Sequence, residues 1–144
     1  GKIPGATGTY GALAGLPIAF FLSRLPPRYA ILILILLIFF SIVVAHLAEP
    51  LFGQKDPKDI VIDEIAGMAV ALYGLPFSPF YVIFAFAGFR VFDILKPPPI
   101  RWIDQQVSGG FGIVLDDVVA GLFTNVILSL VFYLRSSPGS LPLM

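Results

Sequence analysis

The feature that most constrains the fold is an uncharged apolar run over residues 30–48. This run is nineteen residues long, and Ser41 and His46 are its only clearly polar members. A helix needs about 20 such residues to cross the hydrocarbon core of a bilayer. The whole chain is 58% hydrophobic and only 12% charged, which lies outside the usual range of soluble proteins. We therefore predict an all-α integral membrane protein.

Proline, glycine and charged clusters divide the single predicted domain, residues 1–144, into helices. The stretch Pro76-Phe77-Ser78-Pro79 is interpreted as a turn between two short spans, because this arrangement places all polar clusters on one side of the membrane. We predict a compact bundle of about five (four to six) transmembrane or partly spanning helices, with a short interfacial helix over residues 100–106. The five spans cover residues 10–22, 30–48, 60–75, 79–95 and 113–134.

Several boundaries depend on helix-breaking residues. Glu49-Pro50 is expected to end the second span, because a proline disfavours helical backbone in the residue before it. Gly109, Gly110 and Gly112 predict a flexible approach to the last span. Pro17 is expected to kink the short first segment, which either crosses the membrane or enters and leaves on one side.

Charge placement predicts the orientation. Nine basic and nine acidic residues cancel, so no overall field predicts nucleic acid as a partner. Alternation of the spans puts six of the basic residues beside the polar clusters and three on the other side. Because cytoplasmic loops are enriched in Lys and Arg, the polar clusters are predicted to face the cytoplasm. The oligomeric state is left open.

Two acidic doublets, Asp63-Glu64 and Asp116-Asp117, each follow three aliphatic residues. The glycines that come after them, Gly67 and Gly121, would let a second backbone approach closely. Carboxylates in apolar surroundings resist ionising together unless a cation offsets their charge, and a chain with no cysteine and one histidine favours Mg²⁺ over zinc. We expect the doublets to form a Mg²⁺ site; helix capping is the alternative.

Arg90, Asp93 and Lys96 follow at intervals of three residues, which places neighbouring members on roughly one helical face. They form either an ion-pair ladder at the membrane interface or an anion-binding site in which Asp93 is a metal ligand or base. The stretch over residues 5–9 is rich in glycine and threonine and could surround phosphate oxygens, although it is not a Walker motif. The absence of cysteine excludes a thiol-based phosphatase.

Together these segments resemble the phosphatidylglycerophosphatase A family, and the matches run in order over most of the chain. The matching segments are Pro4-Gly5 with Gly8-Thr9, Asp56 with residues 60–68, residues 89–97 with Pro99-Ile100, and residues 109–121. The chain departs from the family pattern at Ala6, where the family has threonine, and at Pro98, where it has an aromatic residue.

The resemblance implies a Mg²⁺-dependent lipid phosphatase of the bacterial inner (cytoplasmic) membrane. This enzyme would convert phosphatidylglycerophosphate to phosphatidylglycerol in phospholipid synthesis, with the substrate lipid and the bilayer as partners and a multi-pass chain whose active site faces the cytoplasm. The expected catalytic residues are Asp63, Glu64, Asp93, Asp116 and Asp117. The expected Mg²⁺ ligands are Asp63, Glu64, Asp116 and Asp117, and the expected phosphate-binding residues are Arg90, Lys96, Thr7, Thr9 and Arg101.

From the residues we expect attack by a metal-activated water, with one acid accepting its proton and with Arg90 and Lys96 offsetting the phosphate charge. An aspartyl-phosphate formed on Asp93 is an alternative. A small transporter or channel that uses the acidic cluster as an ion site is a rival class. Such a protein should carry ionisable groups near mid-membrane, where His46 is the sole candidate.

Overall fold

The computed structural model describes residues 7–53 and 60–136, and these residues form six α-helices. The helices are α1 (Thr7–Ser23), α2 (Pro27–Phe52), α3 (Ile62–Leu72), α4 (Pro79–Leu95), α5 (Ile100–Gln106) and α6 (Gly109–Ser136). The prediction of an all-helical fold is confirmed, and the bounds of α4 and of the short helix α5 match those expected. Pro4, Gly5, Ala6 and Asp56, which the sequence also singled out, lie outside the described residues.

Three helices extend beyond their expected bounds. Helix α2 continues through Pro50 to Phe52 and is followed by Gly53, whose φ of 64° is left-handed, so the expected end at Glu49-Pro50 is wrong. Helix α6 begins at Gly109, and α1 already begins at Thr7. The expected flexible approach to α6 is wrong because Gly110 packs its backbone against α2, where a Cβ would overlap the backbone nitrogen of His46.

Helix α3 is shorter than expected and lies at the centre of the bundle. It spans 11 residues, Ile62–Leu72, or about 16 Å at 1.5 Å per residue. It packs against α1, α2, α4 and α6. Every residue from Ala66 to Leu72 is buried, as expected for a helix that is apolar on all sides. This helix is too short to cross a hydrocarbon core of about 30 Å.

The C-terminal end of α3 is stabilised by a side chain from α6. The backbone becomes extended at Tyr73, with φ −58° and ψ 129°, which leaves carbonyl groups of the last turn without helical partners. The side-chain amide of Asn125 donates hydrogen bonds to the carbonyl oxygens of Ala71 at 3.1 Å and of Tyr73 at 2.7 Å. A helix can therefore end inside the bundle without leaving these carbonyls unsatisfied.

The N-terminal part of α3 touches α6 backbone to backbone. A Cβ on Gly121 would overlap the carbonyl oxygen of Gly67, and a Cβ on Gly67 would lie 2.8 Å from the carbonyl oxygen of Asp117. The close approach that these glycines predict is confirmed. Because Asp63 and Glu64 precede Gly67 by one turn, this contact brings the two acidic doublets together.

Two of the described helices, α2 and α6, are long and apolar enough to cross a membrane. Large apolar side chains cover the outer face of α2, including Ile35 at 56%, Phe39 at 64% and Leu47 at 67% exposure. The buried polar and charged residues, by contrast, include Asp63, Asp116 and Asp117. An exposed apolar surface of this extent is unusual in a soluble protein.

Candidate active site

A cavity of about 380 Å³ lies between helices α1, α3, α4 and α6. All five predicted catalytic carboxylates line it, together with three of the predicted phosphate-binding residues. Its polar side chains belong to Thr7, Asp63, Glu64, Arg90, Asp93, Lys96, Asp116 and Asp117. The structure thus gathers, in one cavity, groups from parts of the chain that are up to 110 residues apart.

Three of the carboxylates form a tight cluster. Asp63, Glu64 and Asp117 each offer an oxygen atom that lies within 4.8 Å of the other two. In the described part of the chain, Glu64 Oε2 and Asp117 Oδ2 are buried and accept no hydrogen bond. Buried carboxylate oxygens without donors are destabilising unless a cation compensates them, and three hard oxygen ligands suit Mg²⁺. The donor set therefore fits the expected cation.

Neither acidic doublet occupies a helix N-cap position. Asp63 and Glu64 lie in the first turn of α3, but the N-cap residue is Val61, whose side chain makes no capping hydrogen bond. Asp116 and Asp117 lie about two turns inside α6, because this helix begins at Gly109 and not at residue 113 as expected. N-capping therefore does not explain why the doublets lie close together.

Asp116 has different partners from the other three carboxylates. Lys96 Nζ donates to Asp116 Oδ2 and to Asp104 Oδ1, each at 2.7 Å. The other oxygen of Asp116 accepts the backbone N–H of Asp117 at 3.0 Å. Burial opposes the charge of the Lys96 ammonium, but hydrogen bonds and attraction from Asp104 and Asp116 outweigh burial and raise its pKa above its ordinary value. Lys96 is therefore a cation at physiological pH.

Lys96 has an unusual backbone conformation. Its φ of 44° and ψ of 61° are left-handed, and among the described residues it is the one non-glycine with positive φ. This conformation costs a non-glycine residue about 1–2 kcal/mol. It ends α4, with the Lys96 N–H donating to the carbonyl oxygen of Phe92 at 2.9 Å. Such strain often accompanies a functional position.

Arg90 and Asp93 form a hydrogen-bonded ion pair on α4. Both side chains are 16% exposed, and both line the cavity. Lys96 reaches α5 and α6 instead, so the three residues do not form a simple ladder along α4. The guanidinium of Arg90 has further N–H groups beyond the one that contacts Asp93, and a bound anion can accept from them.

The first turn of α1 closes one side of the cavity. Thr7 lines it, and a Cβ on Gly8 would lie 2.5 Å from Glu64 Oε1 and 2.6 Å from Arg90 Nη1. Gly8 is thus the residue that lets α1 approach the carboxylates and Arg90. Thr9 and Arg101, also expected to bind phosphate, do not line the cavity; Arg101 is exposed, and its Nη2 donates to the carbonyl oxygen of Leu95 at 3.4 Å.

A family model described as Phosphatidylglycerophosphatase A matches residues 1–132. The chain belongs to this family. Its members in Escherichia coli K12 and Haemophilus influenzae, both named Phosphatidylglycerophosphatase A, are similar to the chain. The first is 38% identical over 129 residues, covering 89% of this chain and 75% of the relative. The second is 35% identical over 135 residues, covering 92% and 83%.

A third relative, from Bacteroides thetaiotaomicron, carries the provisional name phosphatidylinositol-3-phosphatase. It is 36% identical over 137 residues, which cover 90% of this chain and 85% of the relative. No solved structure matches the chain. Membership of the phosphatidylglycerophosphatase A family confirms the resemblance, makes the chain a phosphatase, and favours an enzyme over the transporter or channel alternative.

One residue next to the cavity, Asp104, was not identified from the sequence as part of the candidate site. Asp104 is separated from Lys96 by eight residues and by the proline run over residues 97–99, so helical spacing does not relate the two. The turn folds α5 back against α6 and brings the Asp104 carboxylate to Lys96. An acidic residue on a short helix after a lysine-proline turn is the one available signal.

Proposed function

We propose that this phosphatase hydrolyses phosphatidylglycerophosphate to phosphatidylglycerol and inorganic phosphate. The observation that carries the proposal is the placement of the Asp63, Glu64 and Asp117 cluster in one cavity with Arg90 and Lys96. A phosphate monoester needs cationic donors for its oxygens and a carboxylate to manage protons. The choice of lipid substrate follows the name of the Escherichia coli and Haemophilus influenzae relatives.

Asp63, Glu64 and Asp117 would hold the Mg²⁺ ion. When bound, Mg²⁺ would lower the pKa of water and polarise the phosphoryl group. Asp116 is the fourth expected ligand; because both of its oxygens are engaged by Lys96 and by the backbone of Asp117, we assign it the role of holding Lys96. The cluster of three is therefore the proposed ligand set.

The remaining residues bind the phosphate and move protons. Arg90 and Lys96 donate to phosphate oxygens and stabilise the negative charge that shifts onto the leaving oxygen. Hydrolysis forms a bond between a water oxygen and phosphorus and breaks the bond between phosphorus and the glycerol oxygen. Asp93 is the proposed acceptor of the water proton, and the departing glycerol oxygen takes a proton from solvent water to become the free hydroxyl of phosphatidylglycerol. The alternative, attack by Asp93 itself, would give an aspartyl-phosphate that a water molecule then hydrolyses.

The proposed location is the bacterial cytoplasmic membrane, with the cavity facing the cytoplasm. The apolar outer face of α2 and the length of α2 and α6 support contact with lipid. The cavity-lining cations Arg90 and Lys96 lie at the C-terminal end of α4, and this end is predicted to be cytoplasmic by the excess of Lys and Arg there. Short α3 would then remain inside the bundle, shielded from lipid by its neighbours.

The test is release of inorganic phosphate from short-chain phosphatidylglycerophosphate in detergent, with Mg²⁺ or with EDTA. We expect the native protein to need Mg²⁺, and Asp63→Asn, Asp93→Asn and Asp117→Asn each to lose at least about 100-fold in kcat/KM. Glu49→Gln, which removes an acid outside the cavity, is the matched control. Full activity in all three aspartate variants would contradict the proposed site.

A second substrate arm uses short-chain phosphatidylinositol-3-phosphate under the same conditions, because the Bacteroides relative is named for that substrate. We expect a higher kcat/KM for phosphatidylglycerophosphate. A higher kcat/KM for phosphatidylinositol-3-phosphate would contradict the proposed lipid substrate but not the proposed site or reaction.

A further inference from the structure

Lys96 is held between two carboxylates that come from different helices. Asp104 lies on α5 and Asp116 on α6, and each accepts a hydrogen bond from Lys96 Nζ at 2.7 Å. The Asp116 side chain is only 5% exposed, whereas that of Asp104 is 34% exposed. Lys96 and Asp116 line the cavity, and Asp104 does not. Asp104 therefore contacts a cavity-lining residue, Lys96, from outside the cavity.

An ammonium group has three N–H donors. Two of them point to Asp104 and Asp116 in the described structure, and this fixes the direction of the third. A lysine held by Asp116 alone could rotate its ammonium about the last bonds of its flexible side chain. A second acceptor on another helix removes that freedom, so the remaining N–H is available to a phosphate oxygen in one orientation.

The local fold keeps Asp104 in place. Ile100 is fully buried and Ile103 is 7% exposed, and they anchor α5 on the bundle just before Asp104. Lys96 itself ends α4 in the left-handed conformation, and this conformation turns the chain toward α5. Both the backbone of Lys96 and the position of its partner are thus determined by the same turn.

We propose that Asp104 is a positioning residue that orients the Lys96 ammonium toward substrate phosphate. The inference rests on the proposed hydrolysis of a lipid phosphate in this cavity. A carboxylate near a phosphate site repels the substrate, so a purely electrostatic effect of removing it would be tighter binding. Orientation predicts a different result: slower turnover, because a misdirected donor stabilises the transition state less well.

The test compares kcat and KM for short-chain phosphatidylglycerophosphate in detergent with Mg²⁺. Asp104→Ala, which removes the acceptor oxygens together with the charge, should lower kcat by about tenfold or more while KM stays the same or falls. Asp104→Glu, which keeps the charge and the acceptor oxygens, should recover part of the loss. Gln106→Ala changes an exposed residue of the same helix and should leave kcat unaltered.

The decisive experiment places Asp104→Ala in a Lys96→Met background. If Asp104 acts through Lys96, the second substitution should cause no further loss, since the group that it positions is gone. Independent, multiplicative losses would overturn the proposal, as would an unchanged kcat for Asp104→Ala. Failure of the native protein to release phosphate would instead refute the proposed function. The thermal unfolding midpoint of each variant identifies losses of activity that come from misfolding.

Discussion

Asp116 and Asp117 are adjacent in sequence but have opposite electrostatic surroundings. Asp116 pairs with the Lys96 ammonium at 2.7 Å, whereas Asp117 lies against Asp63 and Glu64, with an oxygen within 4.8 Å of one from each. One aspartate is stabilised by a cation of the protein itself, and the other lies among like charges. The two positions therefore form a matched pair for mutagenesis.

Asp117→Asn should stabilise the metal-free protein while abolishing activity. Removing one of three clustered negative charges relieves repulsion, and we expect the free energy of unfolding to rise by roughly 1–3 kcal/mol. Thermal unfolding in detergent with EDTA measures this change. Asp116→Asn is the control and should have the opposite sign, because it removes a negative charge that pairs with the Lys96 ammonium. A lower midpoint for Asp117→Asn would contradict mutual repulsion in the cluster.

Mg²⁺ should raise the thermal unfolding midpoint of the native protein. A ligand that binds the folded state alone stabilises it by about 2.7 kcal/mol at 100 times its dissociation constant. In the Asp117→Asn variant, Mg²⁺ should raise the unfolding midpoint little or not at all, because only two of the three clustered carboxylates remain to hold the ion. A titration of the unfolding midpoint against Mg²⁺ concentration makes the comparison, and equal responses of both proteins would place the ion elsewhere.

Gly121→Ala should destabilise the protein. Helix propensity alone predicts a gain of about 1 kcal/mol for this substitution, but the new Cβ would overlap the carbonyl oxygen of Gly67, and overpacking of this kind typically costs about 1–3 kcal/mol. The sign of the change in unfolding midpoint decides between the two effects. Gly88→Ala is the matched control, since its Cβ would meet a side-chain methyl of Thr124 at 3.0 Å and not a backbone oxygen, and it should cost less.

Asn125→Leu should lower stability without altering the proposed active-site cavity. The leucine has a similar size but cannot donate to the carbonyl oxygens of Ala71 and Tyr73, and each unsatisfied buried group costs about 1–3 kcal/mol. We expect a lower unfolding midpoint and a near-native kcat in the fraction that remains folded. Val126→Leu, at an exposed neighbouring position, is the control. A native midpoint for Asn125→Leu would show that the end of α3 does not need this cap.

Single cysteines at Ser78 and Ser108 test the proposed membrane arrangement. The chain has no cysteine of its own, so each variant carries one labelling site. Ser78 precedes α4 and Ser108 precedes α6, and the proposed topology puts them on the periplasmic and cytoplasmic sides respectively. A thiol reagent that cannot cross the membrane should label Ser78→Cys in intact spheroplasts and Ser108→Cys only after lysis. Labelling from the same side would refute the topology.

The features that depend on local pattern could be predicted from the sequence. The apolar run over residues 30–48 lies within α2, and the glycines after each doublet mark the contact between α3 and α6. Features that depend on distant partners could not. The end of α3 depends on Asn125, more than fifty residues away, while the apolar pattern itself continues to Leu75. The helical start of α6 at Gly109 depends on packing against α2, which local glycine content does not reveal.

The same limit applies to the cavity. Alternation of spans predicted that the acidic doublets, Arg90 and Lys96 share one side, and the structure places them in one cavity. The division of the four acids into a cluster of three and a partner for Lys96 required side-chain geometry. Sequence spacing also gave no reason to separate Thr7, which lines the cavity, from Thr9, which does not.

The glycine contact between α3 and α6 has a consequence for how the proposed site tolerates substitution. It joins the two helices that carry the carboxylate cluster, whereas Arg90 lies on α4 and Lys96 in the turn into α5. The proposed metal ligands and the proposed phosphate-binding cations thus lie on separate structural units. Substitutions in the second unit are expected to weaken phosphate binding while Mg²⁺ binding by the first unit is kept.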